Sequence, residues 1–304
     1  MEIDFAPLPA PRAAYSSVSP RADVAVLFLH GITGSPAAWH PIARALAADD
    51  LSVSVPLLPG HGATWRDLAA TSWSDWFAAA EAELRTLQAD HEHVVVAGLS
   101  MGGALSLALG TLSNPPDAIV VVNPALYVDS PLAPLLPVLS RIVPTVAAIG
   151  NDIAHPGRDE YAGDRTPVAA VASLASALTG LRTDLWEITS PVTVLVSGQD
   201  NVVGPRSLRV LRSRLPEAPE IIALRRSRHV ATLDFDAEVI AEAVATAARG
   251  TTVRTASAGE GSAASAGGVS AASAGGVSAA SAGGVSAASA GGEGNRPAPG
   301  IADE

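Results

Sequence analysis

Gly98-Leu99-Ser100-Met101-Gly102 fits Gly-x-Ser-x-Gly, a pattern that can carry acyl-transfer chemistry when a strand precedes it and a helix follows. A serine hydroxyl is a poor nucleophile at neutral pH. It needs a base within hydrogen-bond reach, and a carboxylate behind the base that fixes its tautomer and stabilises the imidazolium. The apolar run His93–Ala97 precedes the motif and a helical stretch starts at Met101, so the two glycines would allow a sharp turn that exposes the Ser100 hydroxyl. Met101 N–H, at the start of that helix, then faces any oxyanion that develops.

When a sheet positions such a serine, the acid and the base follow it in the chain, each in a loop at the carboxyl end of a later strand. His229 meets this condition, five residues past the run Glu220–Leu224 and just before a helix. His91 and His93 precede a strand, His40 lies in a helix, and His155 lies in a proline-rich interval. Asp200 follows the run Val192–Val196 through Ser197-Gly198-Gln199 and is the best acid. Asp129, Asp152 and Asp184 are weaker alternatives in the irregular interval, and Asp234 is better explained as the N-cap of the last helix. A second oxyanion donor belongs to the loop after the first core strand, Leu29-His30-Gly31-Ile32-Thr33-Gly34. Ile32 N–H is that donor; Gly31 lets the backbone come close, and His30 supports the loop rather than transferring protons.

The elements that must position these groups alternate along residues 20–249, which predicts an α/β fold with a mostly parallel, doubly wound sheet. Val24–Leu29, Leu51–Val55, His93–Ala97, Ala118–Val122, Val192–Val196 and Glu220–Leu224 read as strands, near-continuously apolar as buried parallel strands are. Pro36–Ala48, Trp73–Ala89, Met101–Leu112, Pro205–Leu215 and Asp234–Ala248 carry helical periodicity. Between Asn123 and Thr189 no strand is predicted, and Pro131, Pro134, Pro137, Pro144, Pro156 and Pro167 interrupt short helical pieces. That interval, about 124–189, reads as a small helical cap over the carboxyl ends of the strands. Beyond residue 250 the composition shifts to near-copies of Ser-Ala-Ala-Ser-Ala-Gly-Gly-Val, so 1–250 is expected to form the catalytic domain and 251–304 a disordered tail.

The composition narrows the chemistry. With no cysteine, disulfides and thiol-based catalysis or metal binding are excluded. A net charge of −11 repels phosphate backbones and anionic headgroups, so no nucleic-acid partner is expected. The cluster from Arg206 to Arg228 is read as a solvated face, with Arg206, Arg209 and Arg212 at helical spacing. No apolar run reaches the roughly 18 residues of a membrane span, and no secretory leader is visible, so no stable membrane insertion and a cytoplasmic location are expected.

His30-Gly31-Ile32, Pro59-Gly60-His61-Gly62, Gly98-Leu99-Ser100-Met101-Gly102-Gly103, Gly198-Gln199-Asp200 and Ser227-Arg228-His229 together resemble the bacterial carboxylesterase and monoacylglycerol lipase family of the α/β-hydrolase fold. The resemblance spans residues 24–248, and Asp67-Leu68 with Trp73-Ser74-Asp75-Trp76 adds to it. It implies a serine hydrolase that cleaves short-chain or monoacylglycerol esters without metal or cofactor, its partner a small-molecule ester. A peptidase or acyltransferase on the same residues, or a non-catalytic hydrolase-like binding protein, remain alternatives. Arg228 before the base and the repetitive tail depart from the family pattern.

Overall fold

The computed structural model describes residues 2–148 and 150–266. A short strand β1 (Tyr15–Ser17) and the strand β2 (Val24–Leu29) lead into helix α1 (His40–Ala48) and strand β3 (Ser52–Val55). Helices α2 (Trp65–Ala69) and α3 (Trp73–Asp90), strand β4 (His93–Leu99), helix α4 (Met101–Leu109) and strand β5 (Ala118–Val122) follow. Next come α5 (Leu136–Ile142), two short strands β6 (Thr145–Ala147) and β7 (Arg165–Pro167), and α6 (Val168–Asp184). Strand β8 (Val192–Ser197), α7 (Arg206–Arg214), β9 (Glu220–Leu224) and α8 (Ala237–Ala266) complete the described chain.

The main sheet has the order β1-β3-β2-β4-β5-β8-β9, parallel throughout except for the edge strand β1, which runs antiparallel to β3. Successive residues of β2 divide between two cores. Val24, Val26 and Phe28 pack with Trp39 and Ile42 near and in α1 and with Ile240 and Val244 of α8. Ala25, Leu27 and Leu29 pack with Trp76 and Leu84 of α3, Leu105 of α4 and Leu174 of α6. Both faces being covered is what makes β2 apolar at every position; full burial of one such side chain contributes about 1.5–3 kcal/mol.

Register brings the strand ends together. Leu29 pairs with Gly98, Leu99 with Val122, Val122 with Leu195, and Ser197 with Leu224. The loops carrying His30, Ser100, Asp200 and His229 therefore leave the same edge. From β2 the chain moves outward to β3 and then returns to β4 on the other side of β2, so the crevice of the doubly wound sheet opens between the His30 and Ser100 loops.

The interval after β5 is more structured than its sequence suggests. It contains the antiparallel pair β6 and β7, where no strand is expected from sequence. Three-residue strands are too short to show a period of two. α6 buries Ala170, Leu174, Leu178 and Leu181 in the second core, so it is the crossover helix that parallel β5 and β8 require. The irregular part ahead of α6, about 124–167, is narrower than the cap range read from sequence and still contributes Leu126 to the second core and Ile153 to the first. β1 and α2 are also absent from the sequence reading; α2 is five residues long and is set by a capping box between Thr64 and Asp67.

The last helix also differs from expectation. It begins at Ala237, not Asp234, and continues past Gly250 to Ala266, with Thr251 buried and its hydroxyl donating to Ala248 O. Once a helix is anchored by packing, each further residue adds one backbone hydrogen bond, so a composition change need not end it. The part of the expected tail beyond Ala266 lies outside the described residues.

Candidate active site

Ser100 sits at the point where β4 turns into α4, with φ 57° and ψ −116°. A non-glycine residue in this region costs about 1–3 kcal/mol, offset here by its surroundings. Its N–H donates to Val122 O at 3.0 Å, and its carbonyl accepts from Ala104 and Ala125, each at 3.1 Å. The flanking glycines are steric requirements. A Cβ at Gly98 would lie 2.2 Å from Gly102 O, and one at Gly102 would lie 2.0 Å from Leu29 O. The motif thus lets α4 pack directly onto the end of β2. Met101 is the first residue of α4, where a backbone N–H has no intrahelical acceptor.

Asp200 and His229 meet across the loops after β8 and β9: His229 Nδ1 lies 2.9 Å from Asp200 Oδ2, and both side chains are more than nine-tenths buried. Asp200 Oδ1 accepts the N–H groups of Val202 and Val203 at 2.7 and 2.9 Å, which fixes the carboxylate. A carboxylate acceptor at Nδ1 places the proton there and leaves Nε2 as the basic nitrogen. Ser100 and His229 line one cavity of about 170 Å³, with Gly31, Ile32, Tyr127, Val171, Leu174 and Val203 among its walls. A larger groove, about 630 Å³, runs between β8, β9 and α8 at the amino ends of the strands, away from Ser100. Chemistry rather than volume selects the smaller cavity.

His30 and Gly31 stand in the loop that follows β2. A Cβ at Gly31 would be 3.6 Å from Ser100 Cβ, so this loop runs beside Ser100. His30 is fully buried; its Nδ1 donates to Gly31 O at 2.9 Å, and its Nε2 accepts the Leu58 N–H at 3.2 Å. Burial first, and then the neighbouring His61, push the His30 imidazole down to about 3, so the ring is neutral near pH 7.

Four supporting groups escaped the sequence reading. Asn123, at φ 45°, donates from Nδ2 to His229 O at 2.8 Å and to Ser197 Oγ, and its Oδ1 accepts the Ser197 N–H. Asp152 accepts the His229 N–H at 3.2 Å and binds both Asn201 N and Asn201 Nδ2, joining the His229 loop to the Asp200 loop. Asp234 is not a helix N-cap: its carboxylate takes the N–H groups of Ala154, His155, Arg228 and Phe235. Glu160 is buried on the cavity wall, its Oε1 accepting the Asn151 N–H at 2.6 Å, and burial pushes its carboxyl up. Asn123 directly follows an apolar strand, the one signal that could have singled it out; the other three sit in irregular backbone.

The arginines of α7 are all exposed, as their spacing implies, and the Arg206 guanidinium also lies 4.1 Å from the centre of the Tyr127 ring. The side chain of Arg228 is exposed. Among the described residues no group of three His, Cys, Asp or Glu could hold a metal ion, and no helix is long and apolar enough to cross a membrane.

Residues 26–243 match the alpha/beta hydrolase family. The chain is 35% identical over 222 residues to a thermostable monoacylglycerol lipase of Bacillus sp. (strain H-257), covering 72% of this chain and 88% of that protein. It is 25% identical to a carboxylesterase of Bacillus subtilis (strain 168), over 72% of this chain and 89% of that one. Among solved structures, a chain from work on LipS and LipT, two metagenome-derived lipolytic enzymes, superposes with a TM-score of 0.75 at 32% identity, covering 80% of this chain and 99% of that one. The monoacylglycerol lipase of Paleococcus ferrophilus, at 18% identity and a TM-score of 0.64, shares the fold.

Proposed function

The chain belongs to the alpha/beta hydrolase family as an esterase- or lipase-like hydrolase, and on that premise we propose that it cleaves carboxylic esters through an acyl-enzyme formed on Ser100. The observation that carries this reading is the 2.9 Å contact of His229 Nδ1 with Asp200, made by a histidine that shares its cavity with Ser100. His229 Nε2 takes the Ser100 proton as the hydroxyl attacks the ester carbonyl. The tetrahedral oxyanion rests on the N–H groups of Ile32 and Met101, and His229 returns the proton to the leaving alkoxide. Water, deprotonated by the same imidazole, then releases the acid and regenerates Ser100.

The cavity walls suit a short-chain ester or a monoacylglycerol. Tyr127, Val128, Val171, Leu174, Val202 and Val203 offer an apolar surface for an acyl chain. Glu160, a buried carboxyl, and Thr33 on the same cavity can bond hydroxyls of a polyol leaving group. Residues 124–167 form the cap in this reading. The partner is a small-molecule ester, in the cytoplasm, and the reaction calls on no metal or cofactor.

Two measurements test the proposal together. A fluorophosphonate should label Ser100 in the folded protein, and rates across p-nitrophenyl esters of increasing chain length, set beside monoacylglycerol, should define the acyl preference. Absence of labelling would favour a non-catalytic binding protein. Turnover of amides in preference to esters would favour a peptidase, and transfer to added alcohols in preference to water an acyltransferase.

A further inference from the structure

Pro59-Gly60-His61-Gly62 belongs to the family resemblance, and the catalytic reading gives it no work. Its two glycines have φ 76° and 77°, and a Cβ at Gly60 would lie 2.5 Å from Thr71 Oγ1 and 2.7 Å from Asp67 O. This turn, in the segment between β3 and α2, drives the His61 ring beneath the loop that follows β2. There the ring lies edge-on to His30 and Trp76, at 4.8 and 5.7 Å between centres.

Both nitrogens of His61 face carbonyl oxygens, Nε2 to Ile32 O at 2.8 Å and Nδ1 to Pro59 O at 3.0 Å. Burial disfavours the imidazolium, so the ring carries one proton. Pro59 O already accepts from Trp76 Nε1 at 3.1 Å and from Thr71 Oγ1 at 3.3 Å. Among the described residues Ile32 O has no other donor, so leaving it unbonded would cost more, and the proton belongs on Nε2.

We propose that His61 is a positioning residue for the oxyanion donor, holding the Ile32–Thr33 peptide through Ile32 O so that Ile32 N–H keeps its aim. The inference rests on the reading of Ile32 as an oxyanion donor. A trans peptide is planar, with C=O and N–H pointing in opposite directions. His30 holds Gly31 O, which shares its peptide plane with Ile32 N–H. His61 holds the next plane. With both planes fixed, φ and ψ of Ile32 are fixed, and the donor is preorganised at no cost during the reaction.

The test uses the full chain with His61→Phe, which keeps a ring against Trp76 and removes the donor, and His61→Gln, whose amide can restore it. For a soluble ester, His61→Phe should lower kcat about ten- to a hundredfold, short of the roughly 10²–10³ lost when an oxyanion donor is removed outright. KM should stay within about threefold, since the oxyanion exists only in the transition state. The inhibition constant of a trifluoromethyl ketone, which forms a tetrahedral adduct on the serine, should rise in parallel with the loss of kcat, and His61→Gln should recover most of both. Imidazole ¹⁵N spectra of the unsubstituted protein should show the Nε2–H tautomer for His61, a readout that survives if His61→Phe fails to fold. Unchanged kcat and adduct affinity in folded His61→Phe would overturn the proposal, as would equal losses in His61→Gln or an Nδ1–H tautomer. Ser100→Ala is measured alongside: turnover that survives it would overturn the hydrolase reading itself.

Discussion

The backbone N–H of His229 donates to Asp152 Oδ2 at 3.2 Å, although the two residues lie 77 positions apart. The same carboxylate binds Asn201, next to Asp200, so one side chain from the interval after β5 ties the His229 loop to the Asp200 loop. Asp152→Ala should therefore lose about 1–3 kcal/mol of stability, the cost of leaving a buried donor unmet. It should also reduce ester turnover about tenfold, less than loss of Asp200. Denaturant melts and steady-state kinetics on the same preparation check both, and full activity in Asp152→Ala would refute the coupling.

Ser100→Ala and His229→Ala should each lower ester turnover by about three or more orders of magnitude without loss of fold, and the double variant should be scarcely worse than either. Additive losses would show that the two do not act on one step.

Asp200→Asn should be nearly as severe as loss of the base, because an amide can no longer fix the imidazole tautomer. Asp234→Asn gives the contrasting profile: four N–H groups converge on that carboxylate, so melting temperature should fall more than kcat. If Asp234→Asn at full stability were the less active of the two, Asp234 would be the catalytic acid.

Acid should destabilise the protein through His30. Its folded-state pKa is lowered to about 3 from 6.5, so between those values the unfolded chain binds a proton that the folded chain does not. Stability then falls as pH drops through 6.5 and toward 3, by roughly 1.4 kcal/mol per unit for this one group. Urea midpoints at pH 7 and pH 5 should differ less in His30→Gln than in the unsubstituted chain. An equal difference in both would mean that His30 is charged in the fold.

Ending the chain after Ala266 should leave kcat/KM for a small ester within about twofold, since a tenfold change needs about 1.4 kcal/mol of transition-state stabilisation and every group in the proposed mechanism precedes that residue. Ending it after Gly250 removes Thr251, which is buried, and should cost stability. Loss of most activity in a folded chain ending at Ala266 would give the remaining residues a part in the site.

What the sequence by itself determined is whatever is local or periodic. The apolar runs read Val24–Leu29, Ala118–Val122 and Glu220–Leu224 in full, and the other three parallel strands to within a residue or two. Gly98 and Gly102 marked the turn at Ser100, because only glycine tolerates the approach of α4 to β2. That His229 and Asp200 leave one edge of the sheet was legible because parallel strands deliver their loops there, and the structure brings the two side chains to 2.9 Å. Tertiary structure alone decided the rest. Asn123, Asp152, Asp234 and Glu160 stand in irregular backbone, where no period marks them, and their partners are set by which distant loops the sheet register brings into contact. The reach of α8 and the crossover role of α6 are likewise matters of packing: Leu174, Leu178 and Leu181 are core residues because β5 and β8 lie side by side, a fact no stretch of local sequence contains.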